Sequence, residues 1–219
     1  VQALKYIEIE TNPNPTASVI WLHGLGASGH DFEPVVPELG LPSDAAVRFI
    51  FPHAPNLPVT INGGMRMPAW YDIKAMDMDR VVDTEQLKAS SDAVAKLVDQ
   101  EIQRGVNSEN IVIAGFSQGG AVAYELGLSY PKRLAGIIGL STYFATAETV
   151  SVSEANRGIP VRVYHGTSDP MVPESLGRAS VQKFEELGFS PVYQTFPMEH
   201  SVCMEEIVDI GQFLKKNLL

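Results

Sequence analysis

A chain of 219 residues with 45% hydrophobic and 19% charged side chains is long enough for one domain with a sizeable core, and its make-up is that of an ordinary soluble globular protein. The net charge of −10 argues against nucleic acid and anionic membrane surfaces as partners. The single cysteine, Cys203, excludes an internal disulfide and fits a reducing, cytoplasmic setting; a small buried hydrophobe suits it better than a thiol nucleophile. No run of about 18 apolar residues occurs, so stable membrane insertion is not expected. The first ten residues alternate and lack the apolar stretch of a signal peptide.

Residues 4–10 alternate as an edge strand does, and Asn12-Pro13-Asn14-Pro15 ends it in a turn. Residues 17–22 are an apolar run of buried-strand type, followed by the glycine-rich loop His23-Gly24-Leu25-Gly26-Ala27-Ser28-Gly29. A short helix is predicted over 31–39 and a strand over 47–51. From 52 to 83 the pattern breaks into a proline-bearing segment, and connections this long are usually functional. Within it, residues 59–67 read as a small hairpin turning at Asn62-Gly63. Residues 84–104 form the clearest amphipathic helix, with Leu87, Ser91, Val94, Leu97, Val98 and Ile102 on one face. Thr84 is its predicted N-cap and Gly105 its stop.

Next comes Ile111-Val112-Ile113-Ala114, a strand-length run rich in β-branched residues. Residues 119–130 suit a buried helix, with Ala121, Val122, Leu126 and Leu128. Between them stands Gly115-Phe116-Ser117-Gln118-Gly119, a G-x-S-x-G pentapeptide in the strand–turn–helix context of a nucleophile elbow. A bulky Cβ on either side of Ser117 would collide with the neighbouring strand and helix. The helix that follows turns its free N–H groups and positive dipole end toward the serine. The competing reading is a glycine-rich turn whose serine only caps that helix. Further on, a strand is predicted over 134–140, an irregular polar stretch over 141–157, and a strand over 161–164. A helix over 174–187, a strand over 191–196 and a terminal helix over 204–218 complete the chain. Strands alternating with helices, with no repeat or composition shift, predict a single α/β domain over 1–219 built on a mainly parallel sheet.

In open parallel sheets ligands bind beyond the carboxyl ends of the strands. The polar residues just past those ends are His23, Ser117, Asp169 and His200. Serine, acid, histidine is the chain order of α/β-hydrolases and differs from the chymotrypsin-like and subtilisin-like orders. His200, after the last strand, is therefore the candidate base. His23 abuts the glycine loop and reads as structural, His30 and His53 as incidental, and His165 as a loop brace. Asp169, stiffened by Pro170, is the candidate acid that holds the His200 tautomer and stabilises the imidazolium formed as Ser117 attacks. Asp72, Asp77, Asp79 and Asp83 precede the serine and read as solvated loop residues, and Asp209 as helix surface. An oxyanion hole needs two backbone donors. The N–H of Gln118 supplies one, and the N–H of Leu25 is chosen for the other over that of Gly24. Such a set supports acyl transfer through a tetrahedral intermediate.

Several pieces spread along the chain resemble a bacterial carboxylesterase of the phospholipase/carboxylesterase family, which includes the eukaryotic acyl-protein thioesterases. They are Leu22-His23-Gly24-Leu25-Gly26, Asn62-Gly63-Gly64 with Met65 and Met67, Ala69-Trp70-Tyr71-Asp72-Ile73, Gly115 to Gly120, Gly166 to Pro173, and His200-Ser201-Val202. The resemblance implies an α/β-hydrolase fold with helices on both faces of the sheet and no large cap domain. It also implies hydrolysis of carboxylic esters or thioesters through Ser117, Asp169 and His200, without metal or cofactor. Two positions depart from the family's pattern. Glu199 stands where glycine often precedes the histidine, and Leu140-Ser141-Thr142-Tyr143 stands where Leu-Ser-Gly-Tyr is common. Glu199 is expected to point to solvent.

Leu25, Met65, Met67, Trp70, Met171 and Val172 suit an acyl groove near the serine, and suit core packing or a homodimer patch equally. The expected substrate is a small-molecule ester or thioester, with lysophospholipids as a further class. A serine peptidase on the same fold would need a cap domain that is not visible. A catalytically silent binding protein is the reading from outside the enzymes, and the complete serine, acid, histidine and glycine-loop set weighs against it.

Overall fold

The computed structural model describes residues 3–76 and 80–219. Asp77 and Asp79 lie outside the described residues. In chain order the first elements are β1 (Tyr6–Glu10), β2 (Ala17–Leu22), β3 (Val47–Pro52), β4 (Asn56–Val59), β5 (Met65–Pro68), β6 (Ile73–Ala75) and β7 (Val81–Val82). They are followed by α1 (Thr84–Gln103), β8 (Ile111–Phe116), α2 (Gln118–Ser129), β9 (Gly136–Leu140), β10 (Val161–Gly166), α3 (Glu174–Glu186), β11 (Val192–Phe196) and α4 (Met204–Leu218). Seven strands form one sheet in the order β1-β3-β2-β8-β9-β10-β11, with β1 antiparallel to β3 and every other neighbour parallel.

The inner strands are mostly apolar because both of their faces are covered: all six residues of β2 and of β3 are buried, and their two polar members, Ser18 and Arg48, both hydrogen-bond Glu101 of α1. Side chains alternate across the sheet. Val19, Trp21, Val112, Ala114 and Ile138 meet α4 residues Ile210, Phe213 and Leu214 on one face. Ile20, Leu22, Ile111 and Ile113 meet Leu87, Val94 and Val98 of α1 and Val122 and Leu126 of α2 on the other. That second face continues under α3, where Phe184 packs with Tyr124, Ile137 and Val163. Cys203 is half-buried against the α4 side of the core.

Several local expectations sharpen or change. The short helix expected over 31–39 is a 3₁₀ helix (Glu33–Leu39), with Pro37, which has no N–H to donate, inside it. The N-cap of α1 is Asp83, whose carboxylate accepts the Gln86 amide, and not Thr84. Asp83 is held extended for that task by its own amide, which donates to the Asp72 carbonyl. Asp72 is no free loop carboxylate either, since it accepts from the Thr60 amide at 2.7 Å and the Thr60 hydroxyl at 2.6 Å. Asp209 is half-buried and accepts the Tyr164 hydroxyl, so helix surface does not describe it. The stretch predicted as irregular and polar holds the buried Tyr143, Phe144 and Thr146. Strands β4 and β5 make the predicted hairpin, with Gly63 left-handed at φ 67°. Among the described residues no helix is long and apolar enough to cross a membrane.

Candidate active site

The strand order reverses at β2, which has β3 on one side and β8 on the other. A reversal of this kind opens a crevice at the carboxyl ends of the two flanking strands. The loop that follows β2 carries His23, Gly24 and Leu25, and the turn that follows β8 carries Ser117. The asymmetry of the sheet therefore brings the glycine loop to the serine.

Ser117 sits at φ 54°, ψ −118° between β8 and α2. A serine rarely adopts this backbone, which costs about 1–3 kcal/mol and is held by the surroundings. Its amide donates to the Leu140 carbonyl at 2.8 Å, tying the turn to β9. Gly119 makes the turn sterically feasible, since a Cβ there would lie 2.5 Å from the His23 carbonyl oxygen.

His200 follows β11 and bonds on both ring nitrogens. Nε2 lies 3.0 Å from the Ser117 Oγ, and Nδ1 lies 2.7 Å from Oδ2 of Asp169. Asp169 uses its other oxygen, Oδ1, to accept the amides of Met171 and Val172, each at 2.8 Å. Burial pushes the Asp169 carboxyl up, but the His200 hydrogen bond and the two amides outweigh it and hold it below the usual carboxylate range. Asp169 is therefore ionised when His200 must carry a proton. Glu199 is exposed, as expected, and takes neither ring nitrogen of its neighbour.

Three of the other four histidines serve as struts, while His30 is exposed and incidental, as expected. His23 is buried, its Nδ1 donates to the Gly24 carbonyl, and its Nε2 accepts the Ala54 amide. His165 is buried and places Nε2 2.8 Å from the Val172 carbonyl, which braces the loop that carries Asp169. Burial lowers both pKa values and keeps both rings neutral. His53 accepts the Gly29 amide at 3.1 Å, so it too has a role, closing the far end of the glycine loop.

A cavity of about 220 Å³ opens at Ser117, lined by Gly24, Leu25, Ile61, Ile73, Phe116, Gln118, Tyr143, Met171, Val172 and His200, with Asp31, Met76 and Arg80 also on its wall. Of the residues expected in an acyl groove, Leu25, Met171 and Val172 line it. Met65 does not: it stands 64% exposed on β5. Met67 is not on this wall either. Trp70 is fully buried and serves as scaffold, its Nε1 donating to the His23 carbonyl at 2.8 Å. Its edge faces a separate cavity of about 540 Å³, between residues 3–5, 53–57 and α1, that contains none of Ser117, Asp169 and His200. Among the described residues no group of three or more His, Cys, Asp or Glu side chains could hold a metal ion.

Three contributors had no sequence signal. Arg80 donates to the Met171 carbonyl and lies 5.1 Å over the Tyr143 ring, joining the long segment to the Asp169 loop. The Tyr143 hydroxyl in turn pairs with Tyr71 at 2.7 Å, and burial raises both phenol pKa values so that neither ionises. The third contributor is the side chain of Gln118. Its Oε1 accepts the Trp70 amide at 2.7 Å and its Nε2 donates to the Tyr71 carbonyl at 2.6 Å. Gln118→Ala would strand both buried groups, at about 2–4 kcal/mol. The expected result is a Tm lower by roughly 4–16 °C. A melting curve that coincides with wild type would show that the bridge contributes nothing.

Fold and site together define a serine hydrolase of the α/β-hydrolase class. The phospholipase/carboxylesterase family model matches residues 5–218, and the chain belongs to that family. Among its relatives, acyl-protein thioesterase 1 of Gibberella zeae is 41% identical over 214 residues, covering 93% of this chain and 91% of its own. The protein of the same name from Neurospora crassa is 40% identical over 214 residues, with coverage of 93% and 87%. The crystal structure of Zea mays acyl-protein thioesterase 2 matches with a TM-score of 0.87 at 27% identity, covering 98% of this chain and 99% of that one. Arabidopsis thaliana SOBER1 matches with a TM-score of 0.86 at 31% identity, covering 93% and 99%. These four are fungal and plant proteins rather than bacterial ones.

Proposed function

We propose that the protein hydrolyses carboxylic esters and thioesters through an acyl-enzyme on Ser117. The observation that carries this reading is the hydrogen-bonded line from Ser117 Oγ through His200 to Asp169, opening on a mostly apolar cavity. His200 Nε2 takes the proton as Oγ attacks the acyl carbon, and Asp169 stabilises the resulting imidazolium. The tetrahedral oxyanion is received by the amides of Gln118 and Leu25. Gln118 is the first residue of α2, where an N–H has no partner within the helix. The intermediate collapses, His200 returns its proton to the departing alcohol or thiol, and water repeats the sequence to release the acid. One catalytic domain over 1–219 is supported by the family match across 5–218.

The cavity of about 220 Å³ is below the ~300 Å³ at which pockets for drug-sized ligands begin, which favours short to medium acyl groups. The names of the fungal relatives favour a protein-borne thioester as the second substrate class. Exposed Met65 is left for contact with a second copy of the chain; a monomer on light scattering removes that part of the proposal. The main test is a panel of p-nitrophenyl esters of increasing chain length, an S-acylated peptide and a lysophospholipid, with fluorophosphonate labelling in parallel. Turnover and labelling are expected in wild type and absent in folded Ser117→Ala. A wild type with neither turnover nor label would overturn the reading.

A further inference from the structure

The side chain of Thr142 is buried over the nucleophile turn, and its Oγ1 donates to the backbone carbonyl of Ser117 at 2.5 Å. That carbonyl also accepts the Gly120 amide at 2.9 Å. Thr142 stands where the resembled family often carries glycine. The space for it comes from Gly120, where an added Cβ would lie 2.5 Å from both Cβ and Cγ2 of Thr142. Immediately before it, Ser141 is left-handed at φ 49°, and its amide is pinned to the Tyr164 carbonyl at 2.8 Å. The chain thus bends sharply at the end of β9 and lays the Thr142 hydroxyl on the turn.

The Ser117 carbonyl and the Gln118 N–H belong to one peptide unit. In a trans peptide the two point in opposite directions within one plane. A donor fixed on the oxygen therefore fixes the direction of the N–H, and a hydrogen bond to the oxygen also polarises the amide and strengthens its donation. We propose that Thr142 is a positioning residue for the oxyanion hole: its hydroxyl holds the Ser117–Gln118 peptide so that the Gln118 N–H faces the developing oxyanion. The assignment rests on the proposed role of Gln118 in the acyl-enzyme mechanism.

A residue acting this way alters the transition state and leaves substrate binding alone. Loss of a direct oxyanion donor costs about 10²–10³ in kcat, and loss of the group that only aims and polarises it should cost about ten-fold. Thr142→Val keeps the shape and removes the hydroxyl. Acylation and deacylation share the hole, so kcat for p-nitrophenyl butyrate should fall about ten-fold with KM within two-fold of wild type. Affinity for phenylboronic acid, which forms a tetrahedral adduct on the serine, should weaken by the same factor. Thr142→Ser, which restores the hydroxyl, should recover most of both losses. Should the valine variant not fold, Thr142→Ala against Thr142→Ser makes the same comparison. The proposal is overturned if kcat and boronate affinity stay at wild-type level without the hydroxyl, or if the serine variant is as impaired as the valine. Ser117→Ala separates the two levels. Residual wild-type turnover there sinks the serine-hydrolase mechanism together with the Thr142 role. An inactive Ser117→Ala beside an unimpaired Thr142→Val sinks the Thr142 role alone.

Discussion

Asp169→Asn is expected to lower kcat about ten-thousand-fold with little change in fold, a barrier increase of about 5.5 kcal/mol. The size follows from how the carboxylate is already committed. Oδ1 accepts two backbone amides, from Met171 and Val172, and Oδ2 accepts from His200. An asparagine must keep its oxygen toward the two amides, because its NH₂ cannot face two N–H groups. The NH₂ is then presented to His200 Nδ1, which becomes an acceptor, and the ring proton moves to Nε2. Nε2 is the atom 3.0 Å from the Ser117 Oγ, so the histidine meets the nucleophile with a proton where it needs a lone pair. Lost imidazolium stabilisation adds to the same deficit. The check is kcat for p-nitrophenyl butyrate together with Tm; less than a ten-fold loss in a folded variant would mean that Asp169 does not set the tautomer.

The elements of this site differ in how well the sequence could show them. The turn around Ser117 is local: its glycines, its strand and its helix lie within a few residues of each other, so steric argument alone reaches it. Asp169 and His200 lie far from Ser117 along the chain, but each follows a strand, and parallel sheets bring strand ends together. Acyl-groove membership was poorly legible because an apolar side chain carries no sign of where it points. Trp70 went to the scaffold through an indole N–H bond to His23, and Met65 to the surface of a hairpin. The short helix at 33–39 was legible as a helix, and its prolines could have marked it as 3₁₀. For α1 the cap expected at Thr84 falls one residue earlier, on Asp83, whose amide is held by a hydrogen bond to the Asp72 carbonyl that only the fold provides. The contacts of Arg80 with Met171 and of Thr142 with Ser117 join loops with no shared pattern, and no periodicity announces them.

Glu206 is expected to make the protein lose stability as pH rises, and Glu206→Gln to remove that loss. The residue is in the first turn of α4, the third position after the N-cap Cys203. A glutamate there commonly reaches back to the N-cap amide. In this chain it is 0% exposed, and neither carboxylate oxygen has a hydrogen-bond partner among the described residues. Burial alone pushes its pKa up to about 8. In the unfolded chain it titrates near 4.5, so between these two values the folded state holds a proton that the unfolded state has released. The unfolding free energy therefore falls as pH rises through that window and levels off above about 8. Between pH 5 and 9 the loss from this group is on the order of 4 kcal/mol. Buried His23 and His165 act on the opposite side: their depressed pKa values weaken the fold as pH falls below about 6.5. They contribute equally to both proteins, so the comparison of Glu206→Gln with wild type isolates the glutamate. Urea denaturation should show the two nearly matched at pH 5, and the variant more stable by several kcal/mol at pH 9. Parallel pH profiles for the two proteins would mean that Glu206 is ionised in the native state, and that a partner or solvent reaches its carboxylate.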